Sequence, residues 1–146
     1  MRKSIWIGLA GALLVMSITV SGASAGRATA PMMFSASLNV KQEIPKETGA
    51  PAMAAGKFTG TVNGSSLHWT LKFSHLTGPA SAAHIHLGAK GVSGPVIIPL
   101  CAPCKTSETG TVKVTAAQIK DMSASKTYVN VHTAKNPNGE IRGQVM

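Results

Sequence analysis

Residues 128–145 read YVNVHTAKNPNGEIRGQV, and this stretch decides the fold. Its two ends, 128–133 and 140–145, alternate apolar and polar residues with a period of two, which is typical of half-buried β-strands. Between them, Pro137 fixes φ and Gly139 suits a left-handed exit from a turn. The stretch therefore predicts a β-hairpin that turns one face towards a core.

The apolar residues of the hairpin predict its register, because directly opposed residues of an antiparallel pair lie on the same face. The expected pairs are Thr133 with Ile141, Val131 with Gly143 and Val129 with Val145 on the core face, and His132 with Arg142 and Asn130 with Gln144 on the other face. A slip of one residue would turn Arg142 into the core. Glu140 and Arg142 are expected to pair at the surface. The residues assigned to the structure of the hairpin are Asn130, Asn136, Pro137, Gly139, Glu140, Arg142 and Gly143.

The rest of the chain carries the same strand pattern. Six further segments have it: residues 34–40, 56–62, 67–73, 83–88, 96–100 and 110–114. Asn63-Gly64 separates two of them, which is a strong signal for a hairpin turn. One short helix is predicted over 115–122, with Thr115 as its cap and Gln118 completing a capping box. About eight strands and one short helix predict an all-β domain, either a β-sandwich or a flattened barrel.

Three histidines share the polar side of two predicted strands. His84 and His86 stand two residues apart, so they project from the same face about 6.5–7 Å apart. His132 lies on the polar face of its own predicted strand, so it can supply a third ligand if that strand is a neighbour in the sheet. Imidazole nitrogens bind copper and zinc, so the three form a candidate metal site. The alternative is that they only hydrogen-bond neighbouring hydroxyl and amide groups. His68 and His75 are weaker candidates.

Two cysteines occur as Cys101-Ala102-Pro103-Cys104. In an exported chain a local disulfide that fixes a turn is the leading interpretation. A redox site would need a strand-to-helix junction that lowers a thiol pKa, whereas a Ser/Thr/Gly-rich loop follows. A zinc site would need a second pair of ligands.

The N-terminus has the pattern of an export signal. Arg2 and Lys3 precede a mostly apolar run, and 23–25 form a small-x-small cleavage site. We expect a signal peptide over 1–25, a flexible lead over 26–33 and one domain over 34–146. The apolar run is short and interrupted by glycines, which argues against a membrane span after cleavage. The mature protein is therefore expected to be secreted or to lie in the periplasm or cell envelope.

Net charge limits the classes of partner. The formal net charge is +9, and removing Arg2 and Lys3 with the leader lowers it to +7. The lysines are scattered and aromatic residues are few, so the sequence argues against nucleic acid. The first interpretation of the charge is a solvated face that aids solubility, and the second is attraction to acidic envelope polymers or phospholipid surfaces. The expected partner is an extracellular or envelope protein or polymer.

Catalysis has little support in the residues. The sequence has a single aspartate, Asp121, and it lies in the predicted helix, far in pattern from any histidine. Neither a nucleophile motif, a phosphate loop nor a pair of carboxylates is present. A superoxide dismutase-like copper site would need a fourth histidine and an aspartate at suitable spacing. We therefore expect a protein that is not an enzyme.

Two segments of the sequence resemble recurrent motifs of the CHRD module, which is named for chordin and occurs in many secreted bacterial proteins. They are residues 83–96, AHIHLGAKGVSGPV, and residues 128–144, YVNVHTAKNPNGEIRGQ. The resemblance runs from about Phe34 to Val145 and implies an immunoglobulin-like, Greek-key β-sandwich or barrel. Our first functional hypothesis is an exported, non-enzymatic CHRD domain that acts as a binding or structural module. The second is a copper- or zinc-binding protein that uses His84, His86 and His132; the sequence itself fixes no cofactor.

Overall fold

The computed structural model describes residues 30–46 and 49–146 of the chain. The predicted signal peptide over 1–25 lies outside these residues. Within the described part, no helix has both the length and the apolar character needed to cross a membrane.

Eight strands and one α-helix make up the domain, and a short 3-10 turn at Val40–Gln42 follows the first strand. The strands are β1 (Met32–Asn39), β2 (Ala55–Asn63), β3 (Ser66–Ser74), β4 (Ala80–Leu87), β5 (Val96–Cys101), β6 (Ser107–Lys113), β7 (Thr127–Thr133) and β8 (Ile141–Gln144). The helix α1 (Ala116–Ser123) lies between β6 and β7. β1 begins at Met32, so the last two residues of the predicted flexible lead belong to a strand.

All eight strands form one antiparallel sheet in the order β5-β4-β7-β8-β1-β2-β3-β6. The sheet curves until it is nearly closed into a barrel, which confirms the predicted all-β fold in its flattened-barrel form. The two edge strands, β5 and β6, face each other across a cleft of about 400 Å³. Curling the sheet lets one face of every strand contribute to a single core.

The core is made by the alternating residues that the sequence indicates. In β3, Leu67, Trp69, Leu71 and Phe73 are all buried, whereas the residues between them are exposed or half-buried. Val129 and Val131 of β7 are completely buried on the same side of the sheet as Ile141 of β8. The period-two pattern therefore predicted the core face correctly.

The helix begins as predicted. The Thr115 side chain accepts a hydrogen bond from the Gln118 backbone N–H, and the Gln118 side chain accepts one from the Thr115 N–H. This capping box satisfies two of the backbone donors that a helix start leaves unpaired. On the inner side of α1, Met122 is completely buried and anchors the helix to the core.

The register predicted for the last hairpin was wrong by two residues. Val131 pairs with Ile141 and Val129 with Gly143, so Asn130, not His132, stands opposite Arg142. A two-residue shift keeps every residue on its face, which is why the core assignment survived. The shift arises in the connection, where the Glu140 N–H donates to the Val131 carbonyl and closes a longer loop.

Strand β7 is buried on both faces. All seven of its residues are buried, although the sequence predicts an exposed polar face. The loop after β4 covers part of that face, because the Gly94 N–H donates to the Tyr128 hydroxyl. The segment after β1 covers another part, since the Asn130 amide donates to Glu43 at 3.4 Å. A buried polar layer therefore lies outside the apolar core, and it contains the predicted histidines.

Candidate metal centre on the polar face of the sheet

The structure brings His84, His86 and His132 together. Strand β4 pairs with β7 so that Ala82 lies opposite His132 and His84 opposite Asn130. His132 is therefore the diagonal neighbour of His84 on the same face. One ring nitrogen from each of the three histidines lies within 4.8 Å of those of the other two. His86 and His132 are buried, while His84 is half-buried.

The spacing of two of the nitrogens suits a shared ion. The Nδ1 of His84 and the Nε2 of His132 are 3.2 Å apart. A tetrahedral ion with metal–nitrogen bonds of about 2.0–2.1 Å holds two ligand nitrogens roughly 3.3 Å apart. The ring of His86 lies 5.8 Å from that of His84 and 5.9 Å from that of His132, measured between centroids. The same 3.2 Å contact is also a hydrogen bond in the absence of an ion.

Backbone carbonyls fix the tautomers of two of these rings. The Nδ1–H of His86 donates to the Gly94 carbonyl at 3.0 Å, and the Nδ1–H of His132 donates to the Pro137 carbonyl at 3.1 Å. A carbonyl oxygen only accepts, so each ring carries its proton on Nδ1 and a lone pair on Nε2. Such outer hydrogen bonds orient metal-binding histidines in known sites.

The Nε2 of His86 is buried and has no hydrogen-bond partner within residues 30–46 and 49–146. A buried nitrogen lone pair without a partner normally costs free energy. Hydrogen bonding alone therefore does not account for the placement of this ring.

The pKa values of all three histidines are lowered, which favours the neutral form. Burial lowers the pKa of His132 to about 4, and the neighbouring His84 and His86 add to the decrease. Burial and His86 lower the pKa of His84. For His86, burial lowers the pKa, the hydrogen bond to Gly94 opposes that effect, and Arg142 lowers the pKa further. Neutral imidazole is the form that binds a metal ion.

Tyr128 and Arg142 support the site from one side, a role that the sequence did not indicate. The Tyr128 ring stacks on His86 with centroids 4.8 Å apart, and the Arg142 guanidinium lies 3.5 Å from the centre of the same ring. Arg142 also donates to the carbonyls of Ala89 and Val92, in the loop that carries Gly94. Arg142 therefore holds in place the loop whose carbonyl orients His86.

The predicted surface pair of Glu140 and Arg142 was wrong, because both side chains are buried and bind other groups. Glu140 accepts hydrogen bonds from Thr77, Thr133 and Asn136 at distances of 2.5–2.8 Å. Burial alone raises the pKa of Glu140, but these hydrogen bonds outweigh it and hold the pKa below its ordinary value. Glu140 thus fixes the loop that presents the Pro137 carbonyl to His132. Thr77, 63 residues away in the chain, carried no sequence signal for this contact.

The other residues assigned to the hairpin lie around the same loop. Asn136 is buried and donates to Glu140 at 2.8 Å. Gly139 has φ +130° and lies so close to Asn130 that a Cβ would be 2.4 Å from the Asn130 amide. Gly143 lies against the backbone of β1, where a Cβ would be 2.6 Å from the Ser37 carbonyl oxygen. Glycine is therefore required at both positions, because a side chain there would clash with the neighbouring atoms.

The remaining histidines and the cysteines are not members of the histidine cluster. His68 hydrogen-bonds Thr111, and His75 hydrogen-bonds its neighbour Ser74. Cys101 and Cys104 form a disulfide with an S–S distance of 2.08 Å, as predicted. They lie within ligand distance of Glu108, but disulfide sulfurs are not the thiolates that bind metals.

The comparisons with known proteins agree with the motifs of the sequence. The family model described as the CHRD domain matches residues 34–145, a span that contains all the strands that carry the histidine cluster. No curated protein and no solved structure matches the chain. The extent of the family match, over nearly all of the folded domain, shows that the chain belongs to the CHRD domain family.

Proposed function

We propose that this CHRD domain is an exported, non-enzymatic binding module, and that the ligand it holds is a copper or zinc ion bound by His84, His86 and His132. The observation that carries the proposal is the buried Nε2 of His86, which has a lone pair and no protein partner in the described chain. An ion shared with the other two rings supplies that partner. The short contact between His84 and His132 supports the same position.

Each part of the site has a defined role in this proposal. The carbonyls of Gly94 and Pro137 hold the Nδ1 protons and turn the Nε2 lone pairs of His86 and His132 inward. His84 is half-buried and offers its Nδ1 from the solvent side. Burial keeps the three rings neutral, so few protons compete for the ligand nitrogens at neutral pH. Three nitrogen ligands leave a further position for solvent or another donor.

Isothermal titration calorimetry tests the proposal on mature protein stripped with EDTA. We expect one Cu(II) or Zn(II) per chain, and we expect His84→Ala and His132→Ala to lose that binding. The matched control is the double variant His68→Ala/His75→Ala, which removes the two histidines outside the cluster and should bind as the wild type does. Circular dichroism on each variant verifies that the fold is retained. Equal uptake by the wild type and the cluster variants would refute the proposed site.

Export is part of the same proposal. It rests on the basic start, the apolar run and the small-x-small motif that ends at Ala25. Mass spectrometry of protein recovered from outside the cytoplasm of its host should find a chain that begins near Gly26. An intact Met1 on that protein would refute export by a cleaved signal.

A protein or polymer of the envelope or extracellular space is the alternative target of the module. Membership of the CHRD family and the net charge of +7 that remains without Arg2 and Lys3 support this second function. The calorimetric titration separates the two, because a module that binds only such a target takes up no stoichiometric metal.

A further inference from the structure

A second site lies on the same polar layer, beyond Arg142. The 3-10 turn at Val40–Gln42 and the loop after β4 enclose a cleft of about 330 Å³. Its lining includes Lys41, Glu43, Ile44, Lys46, Lys90 and Arg142. None of the three metal-binding histidines lines this cleft. We call it the Arg142 cleft.

Arg142, which lines this cleft, has unused hydrogen-bonding capacity. Its side chain is only 2% exposed. The Nη2 donates to the Ala89 and Val92 carbonyls, whereas the Nη1 is buried with no hydrogen-bond partner among the described residues. Leaving a buried donor unpaired costs free energy, and the cost is greater for a charged group. The support that Arg142 gives to the loop explains the hydrogen bonds of Nη2, but it does not explain why Nη1 is buried without a partner.

The charges of the cleft favour an anion. Three exposed lysines, Lys41, Lys46 and Lys90, surround the buried arginine, and among the described residues Glu43 is the one carboxylate in the lining. The Asn130 amide donates to Glu43 from the sheet. Burial lowers the pKa of Arg142, and the charges of Tyr128 and Glu43 oppose that effect. Four cations against one carboxylate leave a strong positive potential in a small concave space.

The geometry of the donors indicates which anion fits. Two parallel N–H groups of one guanidinium bind a carboxylate best. Arg142 has no such pair free, because its Nη2 already donates to two backbone carbonyls. A tetrahedral phosphate accepts single donors from several directions, which suits one guanidinium nitrogen and flexible ammonium groups. Ile44, 37% exposed, adds an apolar surface for an organic substituent at the rim.

We propose that the Arg142 cleft is a binding site for the phosphate group of a phosphoester, supplied either by a soluble compound or by a phospholipid headgroup. Nη1 of Arg142 binds one phosphate oxygen at the base, and Lys41, Lys46 and Lys90 neutralise the remaining charge. This site goes beyond the metal centre and does not need a bound metal ion, although Arg142 also holds the loop that orients His86.

The test is a titration of ¹⁵N-labelled, metal-free mature protein with inorganic phosphate, followed by NMR at constant ionic strength. We expect saturable shifts of the backbone amides in 40–46 and 88–92. The triple variant Lys41→Ala/Lys46→Ala/Lys90→Ala should bind phosphate at least tenfold more weakly. The control Lys57→Ala/Lys72→Ala/Lys120→Ala has the same net charge and leaves the cleft intact, so it should bind as the wild type does.

Vesicles distinguish the two sources of phosphate. Sedimentation with phosphatidylglycerol vesicles that the cleft variant loses and the charge-matched control keeps identifies a lipid headgroup. Binding of free phosphate without vesicle binding identifies a soluble phosphoester. The proposal is overturned if phosphate gives no saturable shifts, or if the two triple variants weaken binding equally, since the effect is then one of net charge alone.

Discussion

Single side chains at the histidine cluster depend on backbone carbonyls more than on one another. His86 and His132 each donate to the carbonyl of a loop residue, Gly94 and Pro137. The loops that present those carbonyls are themselves held by buried charged side chains, Arg142 and Glu140. Outer contacts of this kind usually decide how well a ligand set is preorganised.

Replacing Glu140 tests this support. Glu140→Gln keeps the shape but removes the carboxylate that Thr77, Thr133 and Asn136 share. Because buried donors then face a weaker or misdirected acceptor, we expect a loss of about 2–4 kcal/mol in the free energy of unfolding. Urea denaturation measures it. Glu108→Gln is the control and should cost less than about 0.5 kcal/mol, since Glu108, near the start of β6, accepts only an exposed hydrogen bond from the Lys105 N–H. Similar losses in both variants would contradict this role of Glu140.

Acid should destabilise the metal-free protein once the pH falls below the ordinary pKa of histidine. The pKa of His132 is about 4 in the folded chain against an ordinary value of 6.5, so between these values the unfolded chain binds more protons. The free energy of unfolding should therefore be greatest above pH 6.5 and fall as the pH is lowered towards 4. The facing groups His84 and His86 also have lowered pKa values and act in the same direction, and Arg142 stays charged.

Urea denaturation at several pH values in EDTA measures this dependence. His132→Gln should flatten it, and His68→Ala should keep the wild-type slope. A stability that is constant from pH 7 to pH 4.5 would contradict the neutral buried state of His132.

At the level of elements, the last hairpin shows what a period-two pattern can and cannot predict. The pattern assigned Val129, Val131, Ile141 and Val145 to the core, and all four are completely buried. It did not determine the register, and the predicted register was wrong, because a shift of two residues leaves every residue on the same face. The register follows from the loop between the strands, whose path depends on Glu140 and on Thr77 in a distant segment.

Gly143 tests the contact between β8 and β1. An added Cβ would be 2.6 Å from the Ser37 carbonyl oxygen, which is backbone and cannot move aside cheaply. We expect Gly143→Ala to destabilise the protein by about 1–3 kcal/mol, as measured by thermal or urea unfolding. Gly78→Ala is the matched control, since a Cβ there meets nothing within 4 Å. A silent Gly143→Ala would mean that β8 does not pack against β1 in this way.

At the scale of the whole molecule, the sequence predicted the apolar core but not the second, polar layer. The alternating residues indicate an outward polar face for β7, yet all seven of its residues are buried. The covering segments are fixed by contacts such as Asn130 with Glu43, 87 residues away, and Arg142 with Ala89, 53 residues away. Local patterns do not carry information on such pairs.

The candidate site, like the fold, was predictable only in part from the sequence. Face parity brought the three histidines to one side of the sheet, whereas the tautomers and the burial that suit them to a metal come from the covering loops. The disulfide followed from its spacing and the inferred compartment, and the bond is present. The Arg142 cleft had no sequence signal, because its lysines come from two segments that are far apart in the chain.

The central claim is that His84, His86 and His132 bind one ion together, and an anomalous difference map tests it most directly. Crystals of the mature protein grown with Zn(II) or Cu(II), measured at the absorption edge of that metal, would show the ion itself. The account predicts a single strong peak about 2.0–2.1 Å from one ring nitrogen of each of the three histidines. A map with no peak among the three rings, or with its main peak at His68 or His75, would contradict it.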